Sequence, residues 1–195
     1  MVDPWLVPGL GNPGERYAQT RHNVGAMTTE RLASRLGARF RKVRFVPIDV
    51  AEAKHGDVPL LLTRPGTWMN ESGPPIASVA RKRGVPPDRL IVCQDEIDLP
   101  FGAMRIKKGG STAGHHGLDS IVAALHSADF YRIRIGIGRP SRRDQNADFV
   151  LDRFGERERE EADVLIEDAA DAVLSIIDEG LEATQNRFNR NGPPG

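Results

Sequence analysis

The chain of 195 residues holds one cysteine, Cys93, so no disulfide can form within it. That excludes a disulfide framework and fits a reducing compartment. No apolar stretch approaches the ~18 residues a membrane helix needs. The opening "MVDPWLVPGLG" lacks the basic segment and long apolar run of a secretory signal. We therefore expect a soluble cytoplasmic protein. Net charge is missing too: 27 basic residues stand against 27 acidic ones, and the total points to no partner. There is no internal repeat and no long linker. The length suits one domain with a real core, expected over 1–188, with 189–195 as a frayed tail.

The charge balance hides an asymmetry. Between Phe101 and Arg143 eight basic residues face only Asp119 and Asp129, whereas acids dominate after Asp152. A basic middle is a candidate polyanion site. Along the chain, "WLVPGLG" reads as a buried strand running into a glycine turn, and "VGAMTTERLASRL" has apolar residues near helical spacing. "FVPIDVAEA" and "VPLLLTRP" read as strands broken by His55-Gly56-Asp57. "IASVARKRG" is a helix stopped by Gly84, and "LIVCQDE" a central strand buried on both faces. "AMRIKKGG" and "YRIRIGIG" alternate as strands do, with a helix over Leu118–Leu125 between them. A last helix is expected from Glu158 to Glu182. This alternation gives an α/β single domain of three layers, a twisted mixed β-sheet flanked by helices. Sites in such sheets form beyond the carboxyl ends of strands, where Asn12, Met69-Asn70 and Asp95 all fall.

"GLGNPG", residues 9–14, matches the dinucleotide pattern G-x-G-x-x-G. The context does not. Pro13 stands before the third glycine, no helical apolar face begins until Val24, and Glu30 lies inside a helical pattern rather than at a strand end. Asn12-Pro13 reads instead as a turn that aims an amide, or as a turn with no function. His22, ending a polar loop, is a candidate general base if a carboxylate holds its second nitrogen. Asp95, the first acid beyond the apolar strand, is the candidate carboxylate. Taken alone, His22 also fits a capping histidine and Asp95 a turn or N-cap residue. Cys93 lies in an apolar strand and is a poor nucleophile, and no serine stands in a G-x-S-x-G elbow. His115-His116 with Asp95 makes only a remote metal site, because adjacent histidines point different ways. "GGSTAGHHG" can expose N–H groups to phosphate or carbonyl oxygen, or serve as a flexible connector. Lys107, Lys108 and Arg134 flank it, either as phosphate contacts or as a solvated strand face.

Together and in this order, "GLGNPGERYAQTRHNVG", "RPGTWMNESG", "DEIDLPFG", "GGSTAGHHGL" and "RIRIGIGRP" make the chain resemble the bacterial peptidyl-tRNA hydrolases over nearly its whole length. The resemblance implies a monomeric α/β enzyme that cleaves the ester between a peptide and the terminal ribose of tRNA, needs no metal or cofactor, and has peptidyl-tRNA rather than a membrane as partner. It assigns His22 as general base, Asp95 as the acid that stabilises it, and Asn12 as the amide that distinguishes blocked from free acyl groups. It places Asn70, Tyr17 and Trp68 on the substrate, with Lys107 and Arg134 on tRNA phosphates. Three positions depart from the family's pattern. His116 replaces a substrate-contacting amide, Trp68 a smaller aromatic, and Pro8 a β-branched residue. Proline removes a backbone donor, so the first strand should end early or lie without a partner there. The alternative is a non-catalytic RNA-binding homologue on the same scaffold.

Overall fold

A computed structural model of the chain describes residues 3–189. The elements run β1 (Trp5–Pro8), α1 (Val24–Arg35), β2 (Arg41–Lys42), β3 (Ile48–His55), β4 (Val58–Pro65), α2 (Gly73–Arg83) and β5 (Ile91–Glu96). They continue with β6 (Met104–Lys108), α3 (His116–Leu125), β7 (Tyr131–Gly136), α4 (Asn146–Leu151) and α5 (Arg159–Phe188). Strand order is β2-β3-β4-β1 in one part of the sheet and β5-β7-β6 in the other. β1 runs parallel to β4 and β5 parallel to β7, while the remaining pairs are antiparallel, so both parts are mixed.

Two isolated parallel bridges, Leu6 to Leu90 and Gly9 to Cys93, join β1 to β5. Proline explains why they are isolated. The Leu10 N–H donates to the Cys93 carbonyl at 3.0 Å, and the preceding donor on that side of the ladder would be residue 8, which has no N–H. Toward β4 the strand keeps its register through Pro8, opposite Thr63. The cost of Pro8 thus falls on one neighbour only.

β5 is buried at all six positions, as a strand covered on both faces must be. Its alternate residues serve two cores. Ile91 and Cys93 pack with Val24 and Leu32 of α1 and with Leu165 and Val173 of α5. Val92 packs with Ile76 and Val79 of α2 and with Leu118 and Ile121 of α3. The result is three layers, α1/α5, sheet, and α2/α3. Each fully buried aliphatic side chain contributes about 1.5–3 kcal/mol to holding them together. α2 opens with prolines in its first turn and stops at Gly84, whose φ of 65° suits glycine.

α5 differs from expectation. It continues to Phe188 through a break at Gly180, where φ is 81°. The expected tail over 189–195 lies outside the described residues except for Asn189. That residue accepts the Ile106 N–H at 2.7 Å through its side chain. Two short elements, β2 and α4, carry no periodic signal and were not expected. Among the described residues no helix is long and apolar enough to cross a membrane.

Candidate active site

The glycines after β1 let backbone meet backbone. A Cβ on Gly9 would stand 2.4 Å from the Gly25 carbonyl oxygen, and one on Gly25 would stand 2.1 Å from the Cys93 carbonyl oxygen. The start of α1 therefore packs directly on the ends of β1 and β5. No helix opens at Gly14, and the hollow beside the loop is lined by Glu15, Glu30 and Asp49, with Arg64 among them. Arg64 is already paired with both Glu30 and Asp49. Such a lining repels a pyrophosphate; Gly9 and Gly11 serve packing, and Gly14 a turn with a φ of 93°.

That packing delivers His22 to β5. A single 3₁₀ turn, Arg21–Asn23, precedes α1, and its three side chains act in concert. Asn23 is buried. It accepts the Asn12 N–H and donates to the Asn12 carbonyl, both at 2.9 Å. The Asn12 Oδ1 in turn accepts the Met69 N–H at 2.9 Å, which leaves the Asn12 amide N–H groups to face the cleft. Arg21 lies between Phe149 and Phe154, 4.5 and 5.0 Å from their ring centroids. Its guanidinium grips Glu158 at 2.6 and 3.0 Å, tying the His22 turn to the start of α5.

His22 Nδ1 lies 2.8 Å from Asp95 Oδ2, and His115 Nε2 lies 2.9 Å from Asp95 Oδ1. The Asp95 carboxylate, on β5, is thus shared by two imidazoles. Burial opposes its charge, but the His22 and His115 charges and hydrogen bonds outweigh that and hold its carboxyl well below the usual range. The His115 ring is also disfavoured as a cation by burial, yet Asp95 prevails and raises its pKa. In its neutral form His115 accepts the Leu118 N–H at Nδ1, 3.4 Å away, with Nε2–H turned to Asp95. Among the described residues His22 Nε2 has no protein hydrogen-bond partner, so a proton can be taken there.

The glycine loop before α3 is pinned rather than free. Arg132, 3% exposed, donates to the Ser111 carbonyl at 2.8 Å and to that of Gly109. This anchors the turn that presents His115. Sequence reasoning gives Asn23 and Arg21 no role and His115 only that of a remote metal ligand. The two histidines diverge as expected of neighbours: His115 turns inward to Asp95, while His116 lines the cleft.

Asn12, His22, Asp95 and His116 line one cavity of about 570 Å³, walled on one side by Val150 and Leu151 of α4. Asn12 and His116 also line a neighbouring hollow of about 390 Å³ with Trp68, Met69 and Asn70. Tyr17 meets the Trp68 ring edge-on, centroids 5.6 Å apart, and Trp68 is half exposed. Lys107 and Arg134 lie outside both hollows, on β6 and β7. Lys107 is exposed, whereas Arg134 is ion-paired with Glu96 at 3.0 Å. His22, Asp95 and His115 can each offer one ligand atom within 4.8 Å of the others. Each imidazole is already hydrogen-bonded to its own carboxylate oxygen, so a cation would first have to displace those protons. Burial pushes the Cys93 thiol up to about 12, which removes it as a nucleophile.

Residues 6–194 match the family model described as peptidyl-tRNA hydrolase. The chain is 49% identical over 186 residues to the peptidyl-tRNA hydrolase of Nocardia farcinica, covering 95% of this chain and 96% of that one. It is 48% identical over 189 residues to that of Mycobacterium marinum, covering 97% and 99%. The crystal structure of peptidyl-tRNA hydrolase from Acinetobacter baumannii superposes with a TM-score of 0.91 at 31% identity, covering 100% of this chain and 98% of that one.

Proposed function

Because the chain belongs to the peptidyl-tRNA hydrolase family, we propose that it hydrolyses the ester joining a peptide to the 3′-terminal ribose of tRNA, and that His22 is its general base. The observation that carries this assignment is the 2.8 Å contact of His22 Nδ1 with buried Asp95, beside the Asn12 amide in one cavity. With Nδ1–H given to Asp95, Nε2 takes a proton from water. The hydroxide attacks the ester carbonyl, and Asp95 stabilises the imidazolium that results. Asn12, oriented by Asn23 and Met69, donates to the carbonyl oxygen as negative charge develops on it. Collapse of the tetrahedral intermediate expels the ribose oxygen, which recovers the proton from His22.

Asn70 and His116 border the peptide side, and the Tyr17–Trp68 pair forms an apolar ledge beside it. Lys107, exposed and without an acidic partner among the described residues, offers a cation to phosphate. Arg134 can do so only by sharing its charge with Glu96. A cytoplasmic monomer that uses no metal or cofactor goes with this reading.

The test is release of free tRNA from N-acetyl-aminoacyl-tRNA. The protein should release it, and His22→Ala should be slower by roughly 10²–10⁴ with an unchanged melting temperature. Binding without release would identify a non-catalytic RNA-binding homologue. Near-normal turnover in His22→Ala would remove His22 from the role.

A further inference from the structure

Most arginines of the basic stretch 101–143 have partners within the chain, Arg139 and Arg142 in exposed pairs. Arg132 holds two loop carbonyls, and Arg134, Arg139 and Arg142 pair with Glu96, Asp98 and Asp144. Lys108 pairs with Asp129 at 3.4 Å. A second basic set behaves differently. Arg39, Arg41, Lys42 and Lys82 are exposed and, among the described residues, have no acidic partner. With Arg83 they line a groove of about 650 Å³ between the loop after α1, β3 and the end of α2, larger than the 570 Å³ cavity around His22. Glu52 is the only acid lining it and is taken by Arg83.

Gathering like charges this way costs folding free energy through mutual repulsion. The dipole of α2 favours cations in its last turn by about 0.3–1 kcal/mol each, which accounts for Lys82 and Arg83. It does not reach Arg39, Arg41 and Lys42, which lie on a loop and on the edge strand β2. Between the cations the groove surface is Val43, Val50 and Val79. These side chains have no hydrogen-bonding groups, so this part of the groove reads no base edges and leaves charge as the source of attraction. α2 begins at Gly73, next to the Met69–Asn70 edge of the cleft, and its 11 residues span roughly 16 Å. One RNA with its 3′ end in the cleft can therefore reach the groove.

We propose that this groove is a second RNA site, which holds backbone phosphates of the substrate tRNA away from its 3′ end. The inference rests on the function proposed above. It shifts much of the expected tRNA contact from Arg134 on β7 to edge strand β2 and the end of α2.

The experiment uses the triple variant R41Q/K42Q/K82Q. Binding of deacylated full-length tRNA is titrated against salt. Hydrolysis is compared on N-acetyl-aminoacyl-tRNA and on a short 3′-terminal oligonucleotide carrying the same ester. The slope of log K against log salt should shrink by about 2 to 3, one unit or slightly less per lost phosphate contact. Affinity should fall at least ~10-fold. kcat/KM on the full tRNA should fall with it, while the short ester is cleaved as before. An unchanged slope and affinity would overturn the proposal, whatever acidic protein the groove might capture. An equal loss on both substrates would overturn it too. If the unaltered protein cleaves neither substrate, the hydrolase reading fails, and the salt titration still decides the groove.

Discussion

Helix α1 has charged groups at both ends, in opposite surroundings. Just before its first turn, His22 meets an Asp95 that is 3% exposed and also bound to His115. Along its later turns, Arg31 and Arg35 reach across to Asp163, Glu167 and Asp171 of α5, in pairs whose side chains are one-third to two-thirds exposed. The chemistry of the pairs is similar, but the solvent is not. Water screens the ladder, so each pair is worth about 0–1 kcal/mol. Around Asp95 there is little water to substitute for a lost partner, so removing one group alters the charge and tautomer of the others. The buried end gathers titratable groups beside the cavity, and the exposed end ties α1 to α5.

The largest effect should come from Asp95→Asn. The amide can accept or donate, so it no longer enforces the His22 tautomer, and kcat/KM should fall by roughly 10²–10⁴ while the thermal transition survives. A loss below tenfold would mean that His22 works without its carboxylate.

A smaller effect tests His115. Its pKa is raised in the folded protein, so the stability it contributes is complete below the ordinary histidine value of about 6.5. That contribution disappears as pH rises through the raised value. In urea melts, the stability gap between the protein and His115→Ala should therefore narrow from pH 6 to pH 9. A gap independent of pH would place His115 outside the ionic cluster.

The smallest effect belongs to the ladder. Arg31→Ala and Arg35→Ala should each cost less than about 1 kcal/mol, less still in high salt, and leave hydrolysis unchanged. A loss of activity in either variant would show that the two ends of α1 are coupled.

What could be read from the sequence followed from continuous signals. Leu90 to Cys93 make an apolar run, and its emptying into the acids of β5 places Asp95 at a strand end. The periodicities of α1, α2 and α3 were likewise plain. The missed contacts join residues far apart in the chain. Arg21 and Glu158 are 137 positions apart, and Arg134 and Glu96 are 38 apart. No local pattern distinguishes a guanidinium that meets a carboxylate from one that meets solvent, so the basic middle looked freer than it is. Asn23 escaped notice because its work is done on the backbone of Asn12. β2, at two residues, and α4, at six, are too short to display a period.

Cys93 gives the fold a built-in clock. It is the only thiol in the chain, wholly buried in the central strand with its pKa pushed up to about 12. An alkylating reagent can find it only when the α1/α5 layer parts from β5. The rate of modification therefore reports opening of that one layer, without any introduced label.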